Sequence, residues 1–247
     1  MKKRLVITDL TRMQAGRVCV AGYDEQGHCI RPVLPPPGIL ESSLLVEGKP
    51  VVFPFAIVEY ELLRSRPQPP HTEDYFYDPA GVRFIRRVEE KNRSKVFQWS
   101  LFDSVSGIFE EPIHTDPGHY ILDGRGPRSL GTIRPDAILK AIYEPGDEGK
   151  WKYRLGFVDG DDAHYWLSVT DLAWRYYCEG QRQQGSEPAE IASGLTAVLK
   201  SSTVYLRIGL ARGWERFPDR CFLQITGVHT VPDYLQGKTF ADLGPIA

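Results

Sequence analysis

The sequence predicts a mainly β protein of small barrels carrying a few helices. Three observations lead there. Short runs rich in Val, Ile, Tyr and Phe recur through the 247 residues, each bounded by Gly, Pro or Asp turn clusters. No strand–helix–strand rhythm runs along the chain, so a doubly wound parallel sheet is not expected. Only two segments combine helical periodicity with a start signal.

Arg4–Thr8 is the first strand. Arg17–Tyr23 and His28–Pro32 flank the turn Asp24-Glu25-Gln26-Gly27 and read as a hairpin. Val51–Leu62 is a long strand in which Pro54 marks a start, an edge or a bulge. Arg66–Pro70 is too proline-rich for regular structure. His71–Tyr77 and Arg83–Lys95 read as a short helical or irregular connection, and Pro117–Pro135 as turns around a strand. Ala137–Tyr143, Trp151–Asp159 and His164–Val169 are three further strands. Thr170–Cys178 is a helix with a Thr/Asp cap, and Pro188–Lys200 a second one with Ile191, Leu195, Val198 and Leu199 on one face. Val204–Leu210 and Arg220–His229 close the chain as a strand pair.

An internal echo bears on organisation. Ile7, Leu10 and Arg12 are followed by Arg17, and near the end Ile208, Leu210 and Arg212 are followed by Arg220. The two stretches read as a duplication, with coincidence as the alternative.

Composition narrows the function classes. A net charge of −2 excludes a uniformly basic surface, so any nucleic-acid contact must use local stripes. The 30 basic residues divide into 20 Arg and 10 Lys. Arginine offers a planar fork for phosphate and a flat face for bases, although genome composition alone also produces such a bias. No signal-peptide pattern and no long apolar window is present, so no membrane contact is expected. Cys19, Cys29, Cys178 and Cys221 form no CxxC pair; they read as reduced thiols and place the chain in the cytoplasm.

Three groups of stretches carry a resemblance. They are RLVITDLTRMQAGRVCVAGYDEQGHCIRPVLPP at the front, PFAIVEYEL with PQPPHTEDY in the middle, and VYLRIGLARGW with CFLQITGVHTVPDYL at the end. Together they span nearly the whole chain, which resembles the bacterial and archaeal dual OB-containing domain family. The resemblance implies two OB-like barrels and a nucleic-acid-binding role, and it carries over no catalytic residues. Residues 1–115 are expected to form an N-terminal barrel, and 116–247 a C-terminal barrel with inserted helices.

OB surfaces hold single strands with a positive groove and aromatic platforms. The candidates are Arg12, Arg17 and Arg31 at the front, and Tyr205, Arg207, Arg212, Trp214 and Arg216 at the back. Alternation along Val204–Ile208 places Tyr205 and Arg207 on one strand face, expected to lie outside the core. The loop from Gly124 to Arg134 sets Arg125, Arg128 and Arg134 around glycines that let backbone approach a phosphodiester; a plain flexible connection suits it as well. It lacks the GK[ST] of a phosphate-binding P-loop.

His114, Asp116 and His119, like His71, Glu73 and Asp74, lack a third clustered ligand or a regular scaffold, so a structural role is the stronger reading. Asp159-Gly160-Asp161-Asp162 reads as a hairpin turn, since a calcium loop needs more widely spaced ligands. No nucleophile elbow marks a hydrolase. The expected function is therefore a non-catalytic module for single-stranded DNA or RNA, using neither metal nor cofactor. A protein-interaction adaptor is the alternative, and a nucleic-acid-processing enzyme the third reading.

Overall fold

The structure, a computed structural model, describes residues 1–244, of Glu148 the backbone alone. In its first half β1 (Lys2–Arg12), β2 (Arg17–Tyr23) and β3 (Cys29–Val33) form an antiparallel meander. A long hairpin follows, β4 (Ala56–Ser65) and β5 (Asp74–Arg87). The strand β5 runs parallel to β3, and β4 pairs with the first half of β1. The sheet thereby closes in the order β1-β4-β5-β3-β2-β1, a five-stranded barrel. A bulge at Thr8 divides β1 into a half facing β4 and a half facing β2. Leu5, Ile7, Leu10, Val18, Val20, Val58 and Tyr60 fill the interior.

The second half repeats this circuit. After α1 (Glu90–Phe97), α2 (Val105–Phe109) and β6 (Tyr120–Leu122) come β7 (Leu130–Ile133) and the meander β8 (Ala137–Pro145), β9 (Trp151–Val158), β10 (His164–Val169). Helices α3 (Leu172–Gln183) and α4 (Pro188–Lys200) lead to the hairpin β11 (Thr203–Leu210) and β12 (Arg220–Val231). Again the last strand, β12, runs parallel to the third of the meander, β10. Here the first strand is split: β7 pairs with β11 and β8 with β9. Pro135 sits in the break, because its ring cannot donate to a ladder. Thr196 of α4 covers part of the gap, its hydroxyl accepting the Ala141 N–H at 2.9 Å.

Both helices form where the spacing predicts them. Asp171 caps α3 by accepting the N–H groups of Ala173 and Trp174, and the helix runs on to Gln183. Glu187 and Glu190 make a capping box at α4. Elsewhere the local signal misleads. The segments His71–Tyr77 and Arg83–Lys95 are expected to be helical or irregular; Asp74–Tyr77 and Arg83–Arg87 instead belong to β5, while Glu90–Lys95 is helical as part of α1. Three register shifts against β4 accommodate the charged, glycine-containing sequence, so the period-2 pattern is blurred. Val51–Phe53 lies outside any strand, Pro54 and Phe55 form a turn, and the strand starts at Ala56.

The echo between the two ends is not a duplication in register. Its front copy forms the first and second strands of one barrel, its rear copy the fourth and fifth of the other. These stretches pack against each other instead. The Arg207 guanidinium, wholly buried, donates through Nε to Asp9 Oδ2 (2.9 Å). Its Nη1 reaches Tyr23 Oη (2.6 Å), Thr132 Oγ1 (2.8 Å) and Ser100 Oγ (3.0 Å). Thr226 Oγ1 donates to the other Asp9 oxygen at 2.6 Å, and His229 Nε2 donates to the Thr8 carbonyl at 2.9 Å. The barrels come close at Gly227, where a Cβ would lie 3.1 Å from the Thr8 carbonyl oxygen. Around this polar centre Tyr23, Phe55, Phe97 and Tyr205 make an aromatic seam.

Burial makes the stability of the fold sensitive to pH. It pushes the His71 imidazole down to about 2, helped by Arg31 and Arg212, and His229 down to about 4. It pushes the Asp171 carboxyl up to about 7, against three N–H donors. Between pH 6.5 and 4 the unfolded chain therefore binds two more imidazole protons than the folded one, while the folded chain alone holds the Asp171 proton. The two imidazoles outweigh the one carboxyl, so stability is predicted to fall on acidification. Urea midpoints at pH 6.5, 5.5 and 4.5 check this; a flat or rising series contradicts it.

Candidate functional site

Each barrel has an outward face on its first three strands, and only one of them is open. In the first barrel that face carries Asp9, Thr11, Ala21, Tyr23 and Arg31, all buried, with Cys19 and Cys29 half-buried. The second barrel covers it with Tyr205, Arg207 and Thr226 from β11 and β12. The pairing is head to tail, so the matching face of the second barrel remains exposed.

On that open face the alternation is clean. Tyr153, Leu155, Phe157, Tyr165, Leu167 and Val169 point into the core, while Lys152, Arg154, His164, Trp166 and Ser168 point out. Lys140 stands opposite Gly156, which stands opposite Trp166; Ile142, Arg154 and Ser168 form the adjacent row. Trp166 is 39 % exposed, a high value for so large an apolar ring. Its six-membered ring lies on the bare backbone of Gly156, where a Cβ would come within 2.7 Å of it. Glycine thus lets an indole lie flat across the strand, with the Arg154 guanidinium one row away. Lys140, Lys152 and Arg154 form no ion pair among the described residues.

The sequence-predicted candidates separate into three groups. Arg31, Tyr205 and Arg207 are corrected from outward-facing groups to buried ones. Tyr205 and Arg207 do share a face opposite Leu206 and Ile208, as alternation requires, but the neighbouring barrel covers it. Tyr205 stacks on Phe97 with ring centres 4.8 Å apart. Arg31 Nε donates to Asp74 Oδ1 at 2.6 Å and its Nη1 to Ser129 Oγ at 3.1 Å.

A second group meets at one place. The β4–β5 loop, the segment 123–129 and the β11–β12 loop are tied together by backbone bonds. Gly124 N–H donates to the Pro69 carbonyl and Asp123 N–H to the Asp219 carbonyl. Thr72 Oγ1 donates to the Pro127 carbonyl at 2.7 Å. Glu73 accepts both the Ser129 N–H (2.6 Å) and its hydroxyl (3.0 Å). Arg125 and Arg216 are exposed there, Trp214 is 52 % exposed, and Arg212 donates to the buried Asp74 while half of its side chain faces water. Arg128 is turned inward, donating to the Ile108 carbonyl at 2.7 Å and pairing with Glu110 at 2.8 Å.

The third group lies apart. Arg12 and Arg17, both half-buried, flank the β1–β2 turn at the opposite end of the first barrel. Arg134 lines a cleft of about 370 Å³ with Lys200, Ser202 and Thr203, where the first strand of the second barrel is split.

Sequence reasoning overlooked Trp166, Arg154, Lys152 and Lys140. The signal was available in His164–Val169, whose strict alternation assigns Trp166 to the outer face. Of the histidines, His114 stacks on Tyr120 and His119 packs on Tyr165. His71 is buried with neither ring nitrogen bonded within the chain. Among the described residues no three His, Cys, Asp or Glu side chains are grouped to hold a metal ion. No helix among them is long and apolar enough to cross a membrane.

Comparison with known proteins agrees with this architecture. The profile of the dual OB-containing domain matches residues 3–228. No curated protein matches the chain.

Proposed function

Since this chain belongs to the dual OB-containing domain family, we propose that it is a non-catalytic module that binds single-stranded nucleic acid across the outer face of β8, β9 and β10. OB barrels use the face of their second and third strands, with adjoining loops, to hold oligonucleotides. The observation that carries the reading is Trp166, laid flat on Gly156 and flanked by Arg154 and Lys140. An indole held in this way stacks a base without demanding a particular one, and the cations meet the phosphates on either side. Affinity then comes from stacking and charge, and any preference among sequences is modest.

Titration of a fluorescein-labelled 12-mer at several salt concentrations tests the proposal. Three cationic contacts on a single strand give a slope of log K against log salt of about −2. Binding absent at micromolar protein in low salt, or independent of salt, would refute it.

A further inference from the structure

The open strand face does not end at its edge. His119 packs on Tyr165, the inward-facing neighbour of Trp166 on β10, with ring centres 4.9 Å apart, which sets it at the edge of that strand; burial, and after it the Arg154 cation, lowers its pKa. Its carbonyl accepts the Leu223 N–H, which fixes it beside the start of β12. From there aromatic rings with arginines laid on them follow one another. Arg220 lies over Tyr120 at 4.5 Å and over Phe217 at 4.8 Å, Arg216 covers Phe217 at 5.2 Å, and Trp214 meets Phe217 edge-on. Arg212 follows, anchored on Asp74 of the first barrel. Beyond it the bond from Gly124 to Pro69 joins the Arg125 loop to the β4–β5 loop. At that loop's root Arg64 and Arg66 both lie over Phe76, at 4.9 and 5.4 Å.

We propose that one nucleic-acid strand runs along this track, leaving the Trp166 face over the β11–β12 loop and ending on Arg125, Arg66 and Arg64, so that both barrels hold it. This inference rests on the strand-binding reading and extends it. The first barrel has lost its own strand face to the seam, and its route to the ligand is through the β4–β5 loop. Glu215 and Asp219 sit on the same track. Its positive character is therefore local to the arginines, which suits a flexible strand that can place phosphates at them one by one. Arginine stacked on an aromatic ring keeps its outer edge free for a phosphate while its plane is held.

The test compares a 6-mer with an 18-mer on the full chain, using wild type, Trp166→Ala and the double variant Arg66→Ala/Arg125→Ala. Both arginines are exposed, so the double variant is expected to fold; its circular dichroism and melting curve confirm that before titration. Trp166→Ala weakens both oligonucleotides. The double variant weakens the 18-mer alone and makes its salt slope shallower by about 1.4, which is two phosphate contacts on a single strand. An 18-mer affinity unchanged in the double variant overturns the track while leaving the Trp166 site standing. Equal weakening of both lengths overturns it too, because that is a general field effect. Wild type that binds neither length removes the underlying reading itself.

Discussion

Arg207→Ala is expected to destabilise the protein by about 3–5 kcal/mol, because it leaves a buried carboxylate without its counter-charge. Arg207 is wholly buried and supplies hydrogen bonds to four groups: Asp9, Tyr23, Thr132 and Ser100. Removing it strands the Asp9 carboxylate between two barrels, with only the hydroxyls of Thr8 and Thr226 as donors among the described residues. Asp9→Ala is expected to cost a similar amount for the opposite reason, an arginine left without its anion. The two losses should be far from additive, since each single change already breaks the pair. Urea unfolding of both single variants and the double variant measures this. Single losses below about 1 kcal/mol would mean that water reaches the pair, as at a surface ion pair.

The second large effect concerns binding. Trp166→Ala is expected to weaken single-stranded oligonucleotides by about 5- to 150-fold, the range for losing one stacked base. It should leave stability nearly unchanged, because the ring lies on the outside of a strand and fills no part of the core. Trp99→Ala serves as the control. That indole is also exposed but rests against Tyr23 and Gly27 of the first barrel, away from the open face. Weakening by Trp99→Ala, with no change in Trp166→Ala, would place the ligand elsewhere.

The same contrast explains how much of the molecule can be read in its sequence. Strand positions in the second half, both helices and their caps follow from period and capping residues, since these signals are local. Alternation correctly pairs Tyr205 with Arg207 and opposes them to Leu206 and Ile208. It is silent on what lies beyond the sheet. Arg207 and Trp166 are both outward-facing residues of the same barrel, and only the docking of the first barrel decides that one is buried and the other open. That docking depends on Asp9 and Gly227, 218 positions apart in the sequence. The strand β5 was hidden for a related reason. Its bulges disrupt the two-residue period, and its stability comes from β4 and β3 on either side. Arg125, Arg212 and Trp214 were recognisable as chemistry, whereas their meeting at one junction is a property of three loops tied by backbone bonds.

The proposed site for a single strand is the outer face of β8, β9 and β10 in the second barrel. Backbone amide chemical shifts, followed by NMR during titration with an oligonucleotide at low salt, test it most directly. The largest changes are expected at Lys140, Lys152–Gly156 and His164–Ser168, with the Trp166 indole N–H among them. Changes confined to the β1–β2 turn or to the exposed side of the β4–β5 hairpin, with the Trp166 signals unmoved, would contradict it.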